Sequence, residues 1–520
     1  MRMAAEPLQR PAETLPFAAE RMPEATTPYL DALTRYAARE PARFHVPGHK
    51  GGLAAPPGLA RVLGPALALD IPACTRGIDI GGEPTPLAQA ERLAAEEWGA
   101  RRTWFLVGGA SEASHAACLA FAHAGSKVVV QRNVHSSTIH GLIVSGLHGH
   151  FLAPSTDPGI GVAHCLRPAE LGAALDENPD AVAALVVSPT YFGAAADVEG
   201  LAHACHVRGV PLMVDEAWGA HFHLHPALPA HALAAGADLV ISGSHKLAGS
   251  LTQSAMLHLG PRDWAGLDEQ LLSRTLGLVQ TTSPSSLLLA SLDAARAHLA
   301  ACGAELVEHG LAEIALLKAA LVECTGLPVL GQELVGQDGV AAYDPLRLVI
   351  DVRAAPADGY ELAAALRQAG DIQLELVTDR VLLAHLGIGE PILESGIRLV
   401  EALCLVLEGL GRQGARGEPL PAGAPPVARV ELEPRDAFFA EHELVSLGEA
   451  AGRVSAESIV VYPPGIANIL PGERFTQEIV DGISSTLARS PSVRGTWRGP
   501  PHPVRVVSQG SAALDRYGTR

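Results

Sequence analysis

Residues 210–217 read Val210-Pro211-Leu212-Met213-Val214-Asp215-Glu216-Ala217, and residues 238–246 read Asp238-Leu239-Val240-Ile241-Ser242-Gly243-Ser244-His245-Lys246. Each stretch contains a short apolar run of the kind that forms a buried strand. The first run is followed by Asp215 and the second by Lys246. Because the chain contains only four lysines, at positions 50, 127, 246 and 318, a lysine in this position indicates a specific role.

An aspartate and a lysine at the carboxyl ends of strands suit the chemistry of pyridoxal 5'-phosphate (PLP). The lysine amine forms a Schiff base with the cofactor aldehyde, and the aspartate keeps the pyridine nitrogen protonated so that the ring draws electrons from the substrate. We therefore predict that Lys246 is the Schiff-base lysine and Asp215 the partner of the pyridine nitrogen. The alternative is a surface lysine that happens to follow a strand.

The length and composition of the chain limit the classes of protein to which it can belong. A chain of 520 residues with 4% aromatic residues favours about three domains with helix-rich α/β packing. A formal charge of −18 disfavours nucleic acid and anionic membrane as partners. No continuous apolar run reaches the ~18 residues of a membrane span. Seven scattered cysteines without a C-x-x-C pair favour reduced thiols and a cytoplasmic location.

Strands and helices alternate between residues 103 and 242, which predicts a mostly parallel sheet covered on both faces. A second, smaller α/β pattern follows, then a Gly/Pro-rich linker. In the last part we expect a helix over Leu444–Ala451 and a strand over Ser458–Tyr462. The predicted organisation is an N-terminal tail or arm over 1–28, a PLP-binding large domain over 29–292, a small α/β domain over 293–410, the linker over 411–426 and a C-terminal domain over 427–520.

Further residues follow the predicted strands. Gly108-Gly109-Ala110-Ser111 comes between a strand and a helix, which is typical of a phosphate cradle because helix N-termini present free N–H groups. His135 follows the next strand and could stack on a pyridine ring, although a buried structural histidine is the alternative. Ala217 offers a small surface below such a ring, and Trp218 could form a pocket wall.

A metal site is an alternative interpretation, because histidines occupy every second position at His221, His223 and His225. Zinc sites in proteins combine histidines with cysteine or carboxylate ligands at characteristic spacings. No carboxylate or cysteine lies near these histidines at one of the familiar spacings. We therefore predict no metal site.

Six short motifs give the chain a specific resemblance. They are Phe44-His45-Val46-Pro47-Gly48-His49-Lys50-Gly51-Gly52, Arg132-Asn133-Val134-His135, Asp215-Glu216-Ala217-Trp218, Ser244-His245-Lys246, Thr281-Thr282-Ser283-Pro284, and Tyr462-Pro463-Pro464-Gly465-Ile466 with Pro471-Gly472-Glu473. In this order they resemble the ornithine/lysine/arginine decarboxylase family, in its short form. The resemblance implies an aspartate aminotransferase-like PLP fold of type I, with a homodimer or higher homo-oligomer that shares its active sites.

The same resemblance assigns expected roles to individual residues. Lys246, Asp215, His135 and His245 would be catalytic. The cofactor would be bound by Gly109, Ala110, Ser111, His135, Asp215, Ala217, Trp218, Ser244, His245, Lys246 and Thr282, with Thr282 reaching the phosphate in the neighbouring subunit. Glu473 and Trp218 would contact the substrate, and Glu83 and Glu216 are further candidates for binding its distal cation.

The chain departs from the family pattern at several positions near the cofactor. Val134 stands within N-V-H-S where many members have N-C-H-K, Gly243-Ser244 precedes His245 where they have S-T, and Ala110 replaces a frequent threonine. One or two hydroxyls for the phosphate are therefore missing, at about 1 kcal/mol each. Cofactor binding should survive these losses.

The predicted reaction is removal of the α-carboxylate from a small-molecule amino acid, namely arginine, lysine or ornithine, as in polyamine biosynthesis. Arginine or lysine is slightly favoured. Lys246 or His245 could return the proton to Cα, and the sequence does not decide between them. An aminotransferase or another PLP lyase is the alternative, since the same lysine and aspartate serve all of these enzymes. A catalytically silent regulatory protein with this fold would be expected to lack Lys246 or Asp215.

Overall fold

The computed structural model describes residues 26–73, 75–157, 159–264, 266–411, 428–461, 466–489, 493–494 and 502–517. Most of the predicted N-terminal tail, nearly all of the predicted linker, and Tyr462 to Gly465 of the last motif lie outside the described residues. The three remaining parts of the chain each have a core of their own.

A seven-stranded sheet forms the centre of the large domain in the described part of the chain, in the order β1-β8-β7-β6-β4-β2-β3. Strand β8 is antiparallel to both neighbours, and the pairs among β7, β6, β4, β2 and β3 are parallel. The strands of this domain are β1 Arg102–Leu106, β2 Lys127–Gln131, β3 His148–Leu152, β4 Ala181–Val187, β5 Ala194–Ala195, β6 Leu212–Asp215, β7 Leu239–Ser242 and β8 Ala255–Leu259. Strand β5 is not part of this sheet.

Successive side chains of a strand point to opposite faces of its sheet. Both faces of the large sheet carry apolar side chains, and helices cover both faces. Val129 packs in one core cluster, whereas Val128 and Val130 pack in the other. The helices of this domain are α1 Pro28–Ala38, α2 Pro57–Leu63, α3 Pro86–Trp98, α4 Gly109–Ala124, α5 Ser136–Ser145, α6 Pro168–Glu177, α7 Val198–His206, α8 Ser244–Leu247 and α9 Glu269–Val279.

Helix α10, Ser286–Thr325, connects the large domain to the small one. Leu289 lies in a core cluster of the large domain, and Leu317 lies in the core of the small domain. The predicted boundary after residue 292 therefore falls inside one continuous helix. Among the described residues, α10 is also the one helix that by length and composition could cross a membrane, and half of its most apolar stretch is buried within the protein.

The small domain contains an antiparallel sheet in the order β12-β13-β11-β9, within the described residues. Strand β10 instead pairs with β5 of the large domain. Residues 376–385 form a hairpin of two strands that turns between Val377 and Val381. The elements are β9 Val329–Leu330, β10 Ala342–Tyr343, β11 Arg347–Asp351, α11 Gly359–Gly370, β12 Leu376–Val377, β13 Val381–His385 and α12 Ile392–Leu410.

The C-terminal part forms a small unit of short strands and helices. Its described elements are α13 Pro434–Phe439, β14 His442–Ser446, β15 Ile459–Val461, β16 Ala467–Ile469, α14 Gln477–Arg489, β17 Val493–Arg494, β18 Pro503–Val507 and α15 Ala512–Tyr517. The helix predicted over Leu444–Ala451 is wrong: the segment contributes to β14, which pairs with β18, and then to a 3-10 helix over Leu447–Glu449. Pairing with a distant strand overrides the local apolar pattern here.

The C-terminal unit packs on the large domain. Val460, Ala467 and Leu470 belong to the same apolar cluster as the strands and helices on one face of the large sheet. The backbone of Ile466 forms an isolated β-bridge with His135. The end of β2 is thus covered by a segment that lies far away in the sequence.

Candidate active site

A cleft of about 530 Å³ opens at the carboxyl ends of the parallel strands, where ligands bind in sheets of this kind. Both α/β domains and the C-terminal unit contribute to it. Its walls are formed by Gly108, Gly109, Ala110, Ser111, Asn133, His135, Ala163, Val187, Thr190, Tyr191, Phe192, Asp215, Ala217, Trp218, His245, Lys246, Thr252, Gln253, Glu375, His385 and Ile466.

Lys246 lies in the short helix α8, directly after β7. Its backbone N–H donates to the carbonyl of Gly243 at 2.9 Å. A Cβ at position 243 would lie 2.5 Å from the carbonyl oxygen of Ala217, so glycine allows the loops after β6 and β7 to approach each other. Burial lowers the pKa of the Lys246 amine to about 8, although the negative charge of Asp215 acts to raise it. The amine is therefore easier to deprotonate than an ordinary lysine.

Asp215 ends β6, the strand next to β7, and is buried. Its Oδ1 atom accepts the backbone N–H of Ala217 at 3.1 Å, which fixes the orientation of the carboxylate. Burial raises the pKa of Asp215, and the nearby Lys246 cation counteracts that rise. A cationic N–H group in the cleft would stabilise the charged carboxylate in the same way.

The loop before α4 forms the predicted cradle for a phosphate. Gly108 to Ser111 line the cleft at the N-terminus of this 16-residue helix, and Gly109 has a φ of +74°. Thr252 and Gln253 also line the cleft, and Gln253 has a φ of 81°, a strained conformation for a residue with a side chain. Together with Lys246 and Asp215, the loop before α4 fits PLP: the cleft offers an amine, a buried carboxylate and a glycine-containing loop at a helix N-terminus.

The two predicted catalytic histidines line the cleft as well. The Nδ1 atom of His135 accepts the backbone N–H of Ser137 at 3.2 Å, so His135 also caps helix α5. The Nδ1 atom of His245 lies 2.8 Å from the carbonyl oxygen of Ser254. Because a carbonyl only accepts, Nδ1 of His245 carries a proton, and Nε2 of the neutral ring has a lone pair.

One wall of the cleft is aromatic. The indole ring of Trp218 lies 4.0 Å from Nζ of Lys246 and 4.3 Å from the imidazole of His385, onto which it stacks. The ring of Tyr191 meets the indole edge-on at 4.8 Å. Only Trp218 of these three aromatic groups was predicted from the sequence. Tyr191 could have been found, because it lies shortly after the apolar run that forms β4.

The small domain adds Glu375 and His385 to the cleft, and neither was predicted. Glu375 accepts a hydrogen bond from the hydroxyl of Tyr191. His385 ends β13, and its Nδ1 accepts from Nη1 of Arg347 at 2.9 Å. No local motif marks these residues, because a separate domain brings them to the site.

The sequence matches a known family over most of its length. A model of the Orn/Lys/Arg decarboxylase major domain matches residues 27–352, and a model of the C-terminal domain of the same family matches residues 426–486. The chain belongs to the Orn/Lys/Arg decarboxylase family. It is therefore a PLP-dependent amino acid decarboxylase, as the sequence predicted.

Two curated relatives span almost all of this decarboxylase. The arginine decarboxylase of Bacillus subtilis is 36% identical over 492 residues, which cover 94% of this chain and 100% of that protein. The arginine decarboxylase of Halalkalibacterium halodurans is 35% identical over 94% of this chain and 98% of that protein. More distantly, the lysine decarboxylase LdcA of Pseudomonas aeruginosa is 23% identical over 89% of this chain and 77% of that protein.

Solved structures confirm the predicted fold class. The lysine decarboxylase LdcF of Francisella novicida superposes with a TM-score of 0.76 at 19% identity, over 93% of this chain and 82% of that one. The constitutive lysine decarboxylase of Escherichia coli gives a TM-score of 0.75 at 20% identity, with coverage of 93% and 82%. This decarboxylase thus has the same fold.

Several predicted residues of the decarboxylase do not line the cleft. Ser244 is buried beside Lys246 and is not among the lining residues. Thr282 is exposed outside the cleft of its own chain, so its predicted role in a neighbouring subunit stays a prediction. Glu83 is exposed, and Glu216 is buried with bonds to His231 and Ala232.

The substrate contact expected of Glu473 must be corrected. The carboxylate of Glu473 is fully buried in a two-point ion pair with Arg132, with N···O distances of 2.9 and 2.8 Å, and it also accepts the backbone N–H of Leu470. Glu473 is not one of the residues that line the cleft. In this chain the ion pair links the C-terminal unit to Arg132 at the end of β2.

The three alternating histidines face different carboxylates. Nε2 of His221 lies 3.3 Å from Asp344, that of His223 lies 3.8 Å from Glu97, and that of His225 lies 2.8 Å from Glu308. Within the described ranges, no group of three or more potential ligands is arranged to hold a metal ion.

Proposed function

We propose that this decarboxylase uses PLP bound at Lys246 to convert a basic amino acid to its amine and CO₂, with arginine as the preferred substrate. The observation that carries the proposal is the position of Lys246 and Asp215 at the carboxyl ends of adjacent parallel strands, where both face one cleft. Identities of 36% and 35% to two arginine decarboxylases, over nearly the whole chain, support arginine.

The aldehyde, the ring nitrogen and the phosphate of PLP would each lie next to a residue or loop that can bind it. Lys246 would hold the aldehyde carbon covalently, Asp215 would accept from the ring nitrogen, and the loop from Gly109 to Ser111 would bind the phosphate. His135 and Ala217 would lie on either side of the ring. When bound, PLP supplies an electron-withdrawing ring that accepts the electron pair left by the departing carboxylate.

Lys246 is better suited than His245 to return the proton to Cα. The Lys246 amine has a pKa lowered to about 8, so it can carry a proton and release it near neutral pH. His245 holds its Nδ1 proton against the carbonyl of Ser254, and burial lowers the pKa of its ring. In its neutral form His245 presents a lone pair at Nε2, which cannot donate. We therefore assign the proton transfer to Lys246.

Glu375 would bind the distal cation of the substrate. Among the described residues that line the cleft, Asp215 and Glu375 are the carboxylates. Asp215 lies at the end of a buried strand, whereas Glu375 is exposed and held by the hydroxyl of Tyr191. A guanidinium or ammonium group at the end of a long side chain is attracted to such a carboxylate. Glu375 therefore replaces Glu473 as the candidate for this role.

Product analysis tests this proposal. The protein is incubated with PLP and, separately, with arginine, lysine and ornithine, and the amine is identified by mass spectrometry. Agmatine should form fastest. Lys246→Ala should abolish amine formation, whereas Lys127→Ala, which removes a lysine at the start of β2 away from the cleft, should not. Absence of any amine from the three substrates would refute the proposal.

A further inference from the structure

Arg347 and His385 are directly opposite each other on the antiparallel strands β11 and β13. Nη1 of Arg347 lies 2.9 Å from Nδ1 of His385. A guanidinium only donates hydrogen bonds, so Nδ1 of His385 must accept with its lone pair. The proton of the neutral ring is therefore fixed on Nε2.

Buried contacts hold Arg347 in place. Its Nη2 atom donates to the backbone carbonyl of Trp218 at 2.8 Å and lies 3.5 Å from Asp344. Both Arg347 and Asp344 are completely buried, and His221 contacts the other carboxylate oxygen of Asp344. Burial alone would raise the pKa of Asp344, but His221 and Arg347 hold it below its ordinary value. The guanidinium is thus fixed behind the wall of the cleft.

His385, in contrast, lines the cleft. Its ring stacks on the Trp218 indole, the same ring that Nζ of Lys246 contacts. The Nε2 atom of His385 has no hydrogen-bond partner within the described part of the chain. Nε2 is also shielded from solvent. A buried N–H group without a partner is costly, so an acceptor oxygen of a bound ligand would satisfy this donor.

We propose that Nε2–H of His385 donates a hydrogen bond to the α-carboxylate of the substrate and fixes the direction of the bond that breaks. The inference rests on the proposed function. His385 and Nζ of Lys246 lie against the same indole ring of Trp218, which places the imidazole near the amine that would react. The accepting group is thus an anionic oxygen close to the reacting carbon.

A neutral donor suits a carboxylate that must leave. Hydrogen bonds from a charged group to a carboxylate are roughly twice as strong as bonds from a neutral group. Contacts made to the substrate carboxylate are weakened as CO₂ forms, so a guanidinium there would stabilise the ground state more than the transition state. Burial and the neighbouring cations of Arg347 and Lys246 keep the pKa of His385 far below its ordinary value. The imidazole therefore orients the carboxylate without adding a charge.

The substitutions His385→Phe and His385→Gln distinguish a hydrogen bond to the substrate carboxylate from mere packing of the ring against Trp218. Phenylalanine keeps a ring beside Trp218 but removes the donor, whereas the glutamine amide can place an N–H near the position of Nε2. We expect kcat/KM for arginine to fall about fivefold or more in the phenylalanine variant and to recover partly in the glutamine variant. The inhibition constant of the product amine, which lacks the carboxylate, should stay within about twofold of the parent value. His442→Phe, at an exposed position of the C-terminal unit, is the matched control.

Nitrogen NMR of the ¹⁵N-histidine-labelled protein, with and without PLP, tests the tautomer without relying on activity. The signal lost in His385→Gln should show a protonated Nε2 and an unprotonated Nδ1. Protonation at Nδ1, equal weakening of arginine and amine binding, or parent-like kinetics of His385→Phe would each overturn the inference. If the parent protein formed no amine, the proposed function would fail instead, while the tautomer could still be measured.

Discussion

Arg132 and Glu473 form a two-point ion pair although 341 residues separate them in the chain. Their side chains are only 6% and 1% exposed. Arg132 also donates to the backbone carbonyl of Ala467, so it makes three hydrogen bonds to the C-terminal unit. Because Arg132 follows β2 and precedes His135 closely, this unit helps to fix one side of the cleft.

Glu473→Gln should therefore reduce stability and not primarily substrate binding. Leaving Arg132 buried without its partner is expected to cost about 3–5 kcal/mol, which chemical denaturation would measure. Arg92→Gln, which removes an exposed ion pair with Glu96, is the control and should cost less than about 1 kcal/mol. Unchanged stability with a raised KM for arginine would return Glu473 to the substrate site.

The reactivity of Lys246 should depend on pH in a way that differs from an ordinary lysine. Its pKa is lowered to about 8 from 10.5, so the nucleophilic free amine predominates above about pH 8. Acylation of Lys246 in protein without PLP, followed by peptide mapping, should reach half of its maximum rate near that pH. In the unfolded protein the midpoint should move toward 10.5. A midpoint near 10.5 in the folded protein would contradict the environment described for the amine.

Glu375→Gln should weaken the use of arginine selectively. Loss of a charge-assisted contact of about 1.5–3 kcal/mol corresponds to a fall in kcat/KM of roughly 10–150-fold. Citrulline has the same shape as arginine without the distal charge, so its slow turnover should change little. Steady-state kinetics with both compounds gives the comparison. An equal loss for arginine and citrulline would mean that Glu375 does not bind the distal cation.

Thr282 should act in the active site of a neighbouring subunit. It is exposed and does not line the cleft of its own chain. If two subunits share sites, mixing Lys246→Ala with an inactive variant of the Thr281 to Pro284 loop should restore part of the activity, because one hybrid site then contains both intact elements. Subunit exchange under mild dissociating conditions provides the assay. A mixture as inactive as its two components would place complete sites within single chains.

The sequence was informative wherever local patterns determine structure. Short apolar runs defined β6 and β7, so Asp215 and Lys246 could be placed at one edge of the sheet before the structure was known. The same reasoning placed the loop from Gly109 to Ser111 and His135, each of which follows a strand. Parallel strands bring their carboxyl ends together without further information.

What the sequence did not reveal depends on contacts between separate units. Glu375 and His385 reach the cleft because the small domain packs against the large one, and nothing in their own segments signals that approach. Glu473 is part of a family motif, which suggested a role in the site, but its burial against Arg132 depends on how the C-terminal unit packs on the large domain. Tertiary packing therefore decides which acidic residue lines the cleft.

We propose that this chain removes the α-carboxylate of arginine and replaces it with a proton from solvent. Arginine labelled with ¹³C at its carboxyl carbon, supplied with PLP in D₂O, tests this most directly. We predict equal amounts of ¹³CO₂ and agmatine, one deuterium bound to the former α-carbon of each agmatine, and neither product with Lys246→Ala. Recovery of the label in a keto acid, with no ¹³CO₂, would contradict the account and indicate an aminotransferase.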